Sequence, residues 1–343
     1  MKLLRKALTF RASSIGDSLM GKYLLENIRA EFPDARCGLA VGSRGAMIRD
    51  LLAAYPWIEV IEANRRSPRA LFTLVKRFWR SDFVCTLYTG GLLNLSTKLI
   101  ARFLARRGAL IGFIDRSPVN KFLYDKLIYL KPDRSSVPRL LECDALRAAD
   151  IPIVMEQMTF KYLPQPDLLA RFGLQKKGYV VVGLFSGADA RGLSPEKRQE
   201  LVDALAHAMP ALPLVFIGTQ KEREQISHMH LPQNSKTVET SVQEVSALID
   251  DSACMVSLGT GTSHIAAILR TPLVVLVACQ GLQWVGTDQY GDAPIQVFCR
   301  PEMCPHGHDY SGYGPCINAV DMDAVAVKAR DMCTTAQTLT KAT

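Results

Sequence analysis

The stretch from Met255 to Ala278, MVSLGTGTSHIAAILRTPLVVLVA, constrains the fold more than any other part of the chain. An apolar run ends at Gly259-Thr260-Gly261, a short helical pattern follows, and a second apolar run begins after Pro272. This predicts a strand, a glycine turn, a helix and a second strand. Glycine permits the tight turn and lets a ligand approach the backbone closely. Thr262 or Ser263 is placed to cap the helix. The first-turn N–H groups and the positive end of the helix dipole favour an anion such as a diphosphate, and His264 projects a ring nitrogen from the same turn. An ordinary strand-to-helix turn with a surface histidine would read the same way, so the rest of the chain has to decide.

Strand and helix patterns alternate throughout, which implies parallel sheets covered on both faces. At 343 residues the chain exceeds one compact core. The expected class is α/β, with two Rossmann-like, doubly wound parallel-sheet domains facing a central cleft. In the first half, strands are expected at 3–11, 37–41, 58–62, 82–87 and 109–114, with helices at 18–31, 65–80 and 92–107. Helical patterns also run over 122–129 and 138–149, before the proline-bearing KYLPQPD. The second half restarts with strands at 179–184 and 214–217 and helices at 195–208, 221–228 and 241–249. The domains are expected at 1–165 and 166–320, and 321–343 forms a closing helix and tail that can return to the first domain. Ligands of such sheets bind at the carboxyl ends of strands, so the loops 12–17 and 259–264 should line the site.

Composition sets further bounds. With 48% hydrophobic and 22% charged residues and no apolar run of roughly 18, the chain reads as soluble and globular. Its start lacks the apolar core of a secretory signal, so the expected location is the cytoplasm. Cys37, Cys85, Cys143, Cys254 and Cys279 lie in apolar surroundings that suit reduced, buried thiols. Cys299, Cys304 and Cys316 are bunched in CRPEMCPHGHDYSGYGPC with His306 and His308 between them. That segment reads either as a zinc site or as a cysteine-containing loop, and its spacing is not that of a standard finger.

Charge is unevenly spread. Residues 1–150 hold 26 Lys+Arg against 14 Asp+Glu, a net of +12, whereas the remainder is −4. RRSPRALFTLVKRFWR puts an apolar stripe at helical spacing with Arg69, Lys76, Arg77 and Arg80 on its flanks. Such a helix suits an anionic membrane surface, or simply faces the core with a solvated basic side. No nucleic-acid-binding motif accompanies it. A nicotinamide-dinucleotide site is excluded, because the Gly259 turn lacks the third glycine of that fingerprint.

In the loop RASSIGDS, Gly16 frees the backbone and Asp17 is either a helix N-terminal residue or a base exposed to the cleft. FSGADARGLSP offers Ser186, Gly187 and Arg191 with several backbone N–H groups, a set suited to a diphosphate. In order, Arg11–Asp17 (RASSIGD), FPDARCGLAVG, GLFSGADARGLSPEKRQELVDAL, IGTQKEREQI and SLGTGTSHIAAILRTPLVVL resemble the motifs of glycosyltransferase family 9, the heptosyltransferases of lipopolysaccharide core assembly. CRPEMCPHGHDYSGYGPCINAVDMDAV is similar to the cysteine-bearing tail of many members.

The resemblance implies a GT-B fold, an inverting mechanism, no catalytic metal and no cofactor beyond the donor, a nucleotide-diphosphate sugar such as ADP-heptose. It implies Asp17 as general base and Thr260, Gly261, Thr262 and His264, beside Gly259, as donor-binding positions, with Ser186, Gly187 and Arg191 supporting the phosphates or sugar. Ser14, Gly16, Arg69, Lys76, Arg77 and Arg80 fall on the acceptor side. The implied partners are a nucleotide sugar, a lipopolysaccharide-core or glycolipid acceptor and the cytoplasmic face of the inner membrane, with no nucleic acid. Two departures stand out: Gly259 occupies the position of the family's acid, and Arg191 is not followed by the family's tryptophan and proline pattern. A sugar-nucleotide-binding protein with little transferase activity is the alternative that the first departure suggests.

Overall fold

The computed structural model describes residues 3–11, 14–63, 67–86, 95–106, 108–113, 118–129, 137–304 and 312–342, and the chain divides into two units, Met1–Met158 and Thr159–Thr343. In the first unit the strands are β1 (Lys6–Phe10), β2 (Arg36–Val41), β3 (Ile58–Glu62), β4 (Phe83–Cys85), β5 (Ala109–Phe113) and β6 (Lys126–Ile128). They form one parallel sheet in the order β3-β2-β1-β4-β5-β6. Its helices are α1 (Ile15–Glu31), α2 (Gly45–Leu51), α3 (Pro68–Phe78), α4 (Leu95–Leu104), α5 (Asn120–Leu123) and α6 (Pro138–Ala148).

The second unit repeats the plan with β7 (Val180–Gly183), β8 (Leu214–Phe216), β9 (Lys236–Thr237), β10 (Cys254–Leu258), β11 (Leu273–Leu276) and β12 (Ile295–Phe298). Their order is β12-β11-β10-β7-β8-β9, again all parallel. The helices are α7 (Leu168–Arg171), α8 (Pro195–Ala208), α9 (Gln220–Ile226), α10 (Val242–Asp251), α11 (Gly261–Leu269), α12 (Thr287–Tyr290), α13 (Pro315–Asn318) and α14 (Met322–Ala342). In each sheet the winding reverses beside the first strand, between β1 and β4 and between β7 and β10. Those reversal points are where neighbouring loops part and leave a crevice.

The physical reasons are local. Central strands such as β7 and β10 are buried along their whole length, as a sheet covered on both faces requires. Ser67 and Ser194 cap α3 and α8, each with proline in the first turn, and Ser241 with Glu244 closes a reciprocal cap on α10.

Several expectations are corrected. Helix α1 begins at Ile15, because the Ser14 hydroxyl accepts the Asp17 N–H, so Asp17 lies in the first turn and not in a loop before it. The segment 122–129 is not one helix: α5 stops at Leu123, and β6 pairs with β5 from Ile111 opposite Lys126. The stretch around KYLPQPD belongs with the second unit, where the Tyr162 hydroxyl donates to Asp250 at 2.7 Å and the Leu163 N–H to Gln243 at 2.6 Å. Met322, Val325, Ala326, Ala329 and Cys333 of α14 join the core of the second unit. Among the described residues no helix is long and apolar enough to cross a membrane.

Candidate functional site

In the second unit β7 and β10 are neighbours with Gly183 opposite Ser257, so the loops holding Ser186–Arg191 and Gly259–His264 leave adjacent strands at the reversal point. Thr260, not Thr262 or Ser263, caps α11: its N–H donates to the Ser263 hydroxyl at 3.1 Å, and its own side chain accepts from the Ser263 backbone. Thr260 wins because the glycine turn holds it extended one step before the helix starts. Thr262 places its hydroxyl 3.0 Å from that of Thr260.

His264, in the first turn, is only 8% exposed. Burial holds its imidazole down at about 4, so the ring is neutral near pH 7. Its Nδ1 is hydrogen-bonded to the Tyr290 hydroxyl, and the Trp284 ring lies 5.7 Å away. Both partners come from the segment after β11, which nothing in the local sequence around His264 announces.

A cavity of about 690 Å³ opens at the ends of β7 and β8. Ser186 and Gly187 line it, and Arg191 lies just behind, its guanidinium 3.8 Å from where a Gly187 side chain would begin. Lys221, Glu222, His228 and Tyr313 also line it and were not among the predicted site residues. For Lys221 and Glu222 a signal existed, since both lie in the motif IGTQKEREQI. Arg198 braces the wall: it donates to Leu193 O at 3.1 Å, Gln225 at 3.1 Å and Tyr313 at 3.2 Å, and lies over the Phe185 ring.

In the first unit Asp17 is buried at the start of α1, where the Ser14 hydroxyl donates to it at 2.5 Å and Gly16 is packed beside it. Arg11, at the end of β1, donates to Glu142 of α6 at 2.5 Å in full burial. Burial pushes the Glu142 carboxyl up to about 7 against the pull of Arg11, and the Asp17 charge adds to the rise. On α3, which is shorter than the expected 65–80, Leu74 and Phe78 face the core, whereas Arg69, Lys76 and Arg77 are exposed together with Phe72; Arg80, also exposed, lies beyond the helix end with a left-handed backbone, φ 59°. The helix therefore does face the core, and its solvated side is basic. Arg77 is turned 3.7 Å from Glu59.

Compared with known proteins, the sequence matches no family model and no curated relative. The fold does match solved structures. An E. coli ADP-heptose lipopolysaccharide heptosyltransferase II superposes with a TM-score of 0.70 over 97% of this chain and 99% of that one, at 17% identity. A glycosyl transferase family 9 protein from Veillonella parvula gives 0.75 over 98% and 99%, at 13% identity. The E. coli heptosyltransferase WaaC with ADP-2-deoxy-2-fluoro heptose gives 0.61 over 85% and 92%, at 17% identity. The chain has the fold of glycosyltransferase family 9.

Within the family 9 fold, Gly259 is a packed position. A Cβ built there would lie 3.2 Å from a side-chain methyl of Val277, so an acid at this point would require that side chain to give by a few tenths of an ångström. The cysteines are also placed differently from the sequence reading. Cys304 and Cys316 are buried and meet Cys279, which is only partly buried, and the three thiols lie within 4.8 Å of one another. His306 and His308 lie outside the described residues.

Proposed function

We propose that the protein is an inverting glycosyltransferase that moves a sugar from a nucleoside diphosphate to the hydroxyl of a lipopolysaccharide-core or other glycolipid acceptor. The observation that carries this reading is that a glycine turn, the capped start of α11 and a neutral His264 follow β10, next in the sheet to β7, whose following loop lines the cavity. Tyr290 keeps its proton, because burial raises its pKa, and can donate to Nδ1, which leaves the imidazole proton on Nε2 for a phosphate oxygen. Helix N–H groups and this imidazole take up the charge that develops on the departing diphosphate, so the transfer step assigns no role to a metal. Arg191 and Lys221 add positive charge at the neighbouring loops.

Asp17 is the base that removes the acceptor proton, oriented by Ser14. The acceptor is held by the basic first unit, where Arg69, Phe72 and Lys76 share one exposed face of α3. Leu95, Leu99 and Phe103 expose an apolar row on α4, next to Trp79, whose ring centroid is 4.2 Å from that of Phe103. That combination suits the surface of an anionic membrane. The bound ADP-2-deoxy-2-fluoro heptose of the WaaC structure makes an ADP-sugar the first donor to try, and Gly259 makes the other nucleotides a necessary comparison.

The test is a thermal-shift and calorimetric screen against ADP-, UDP-, GDP- and CMP-sugars, followed by turnover. One nucleotide sugar is expected to stabilise the fold by about 2.7 kcal/mol at a hundred times its Kd. Asp17→Asn should keep that binding and lose turnover by about 10²- to 10⁴-fold. Binding with no turnover by the unaltered protein would establish the alternative that Gly259 favours, a sugar-nucleotide-binding protein. Absence of binding to all four would overturn both readings.

A further inference from the structure

The second unit contains a small core that packing alone does not explain. Its buried members are Ala278, Cys304 and Cys316, with Cys279 and Cys299 packed against them. Cys37, Cys85 and Cys254, by contrast, sit on strands among valine, leucine and isoleucine. Four thiols and one methyl group offer little apolar area. Yet they meet where four irregular pieces of chain join: the 3₁₀ turn Cys279–Trp284 after β11, the end of β12, the 3₁₀ turn Pro301–Met303 and the single helical turn α13.

We infer that Cys279, Cys299, Cys304 and Cys316 bind one thiophilic divalent metal ion, zinc or ferrous iron, in a closed structural site. The Sγ atoms of Cys279, Cys304 and Cys316 already lie within 4.8 Å of one another, and Cys299 is packed against the same cluster. A tetrahedral ion with metal–sulfur bonds of about 2.3 Å spaces its ligands about 3.8 Å apart, a separation that falls inside the 4.8 Å spread of the three grouped sulfurs. A disulfide would use two of the thiols and leave the others, whereas one ion uses all four. The Cys279 N–H donates to the Cys316 sulfur at 3.4 Å, the kind of bond that supports a metal-bound thiolate. Four protein ligands leave no open position, which marks the ion as a staple and not a reactant.

The staple has a target. It anchors the start of the segment that carries Trp284 and Tyr290 onto His264. Binding requires the thiols to lose their protons to solvent as the metal–sulfur bonds form, with no change of oxidation state.

The experiment uses the full chain purified under reducing, anaerobic conditions. Elemental analysis should find about one zinc or iron per chain. Acid-labile sulfide should be absent, and exchange with cobalt(II) should give thiolate-to-cobalt charge transfer with tetrahedral d–d bands. Cys279→Ser and Cys316→Ser should lose most of the metal, whereas Cys37→Ala should retain it, and a chelator should lower the unfolding temperature of the unaltered protein. A reduced protein that carries no metal and takes up no cobalt would overturn the assignment, as would a native disulfide within the four, labile sulfide, or full occupancy in Cys316→Ser. If the serine variants do not fold, the metal content and cobalt spectrum of the unaltered chain decide alone.

Discussion

His264 ties a titration to a place in the fold. In the unfolded chain its imidazole takes a proton near pH 6.5, whereas the folded ring waits until about 4 because burial disfavours the charged form. Between those values the unfolded state binds more protons, so stability is fully present above about pH 6.5 and falls as pH drops toward 4. The full drop is about 3 kcal/mol. Glu142 works the other way in the first unit: its folded value near 7 exceeds the ordinary 4.5, so its contribution is present at low pH and is lost as pH rises through 7. The two must therefore be separated by a variant. Denaturant titrations at pH 7 and pH 4 should show the unaltered protein losing about 3 kcal/mol more than His264→Gln on acidification, and equal losses would place the proton elsewhere. His264 and Asp17 were both visible in the chain as candidates. Their partners Tyr290 and Glu142 were not, because each arrives from a distant segment and carries no local motif.

At the scale of elements, α3 lies on the sheet because Gly38 of β2 leaves room for the Phe78 ring. A Cβ at Gly38 would sit 2.3 Å from the tip of that ring, in a part of the core where neither strand nor helix has space to move. Gly38→Ala should destabilise the protein by about 1–3 kcal/mol through overpacking. Combined with Phe78→Leu, the loss should fall short of the sum of the singles by about 0.5–3 kcal/mol, as expected of side chains in contact. Strict additivity in denaturant midpoints would count against this contact. The buried strands on either side of such contacts were legible because continuous apolar runs between turn residues have few other uses. The short β6, β9 and β12 were harder to see: Lys126–Ile128 and Ile295–Phe298 are only partly buried, and Lys236–Thr237 is two residues long. The cysteine core was half legible for a related reason. Spacing grouped Cys299, Cys304 and Cys316, but Cys279 joins them through the parallel pairing of β11 with β12.

Across the whole molecule, charge is the property that divides the chain: +12 over the first 150 residues against −4 over the rest. In the proposed function, a field of that asymmetry would favour approach to anionic surfaces before any specific contact forms. The face that would meet such a surface is Arg69, Phe72 and Lys76 on α3, beside the row Leu95, Leu99 and Phe103 on α4. Arg77 is a poorer probe because it is also engaged with Glu59, and changing it would disturb the helix as well as the surface. The double variant Arg69→Gln/Lys76→Gln removes two exposed charges, each contributing about 1 kcal/mol near an anionic leaflet, and should weaken binding to phosphatidylglycerol-containing vesicles about 30-fold at low salt. Its unfolding temperature should stay unchanged, since neither side chain enters the core. Raising the salt to about 1 M shortens the screening length to about 3 Å and should erase the difference between variant and parent. Phe72→Ser should instead lower binding by a similar amount at either salt concentration, because it removes buried apolar area and not charge. Equal binding of the parent to phosphatidylcholine and phosphatidylglycerol vesicles would mean that the basic half is tuned to a soluble anionic acceptor and not to a membrane.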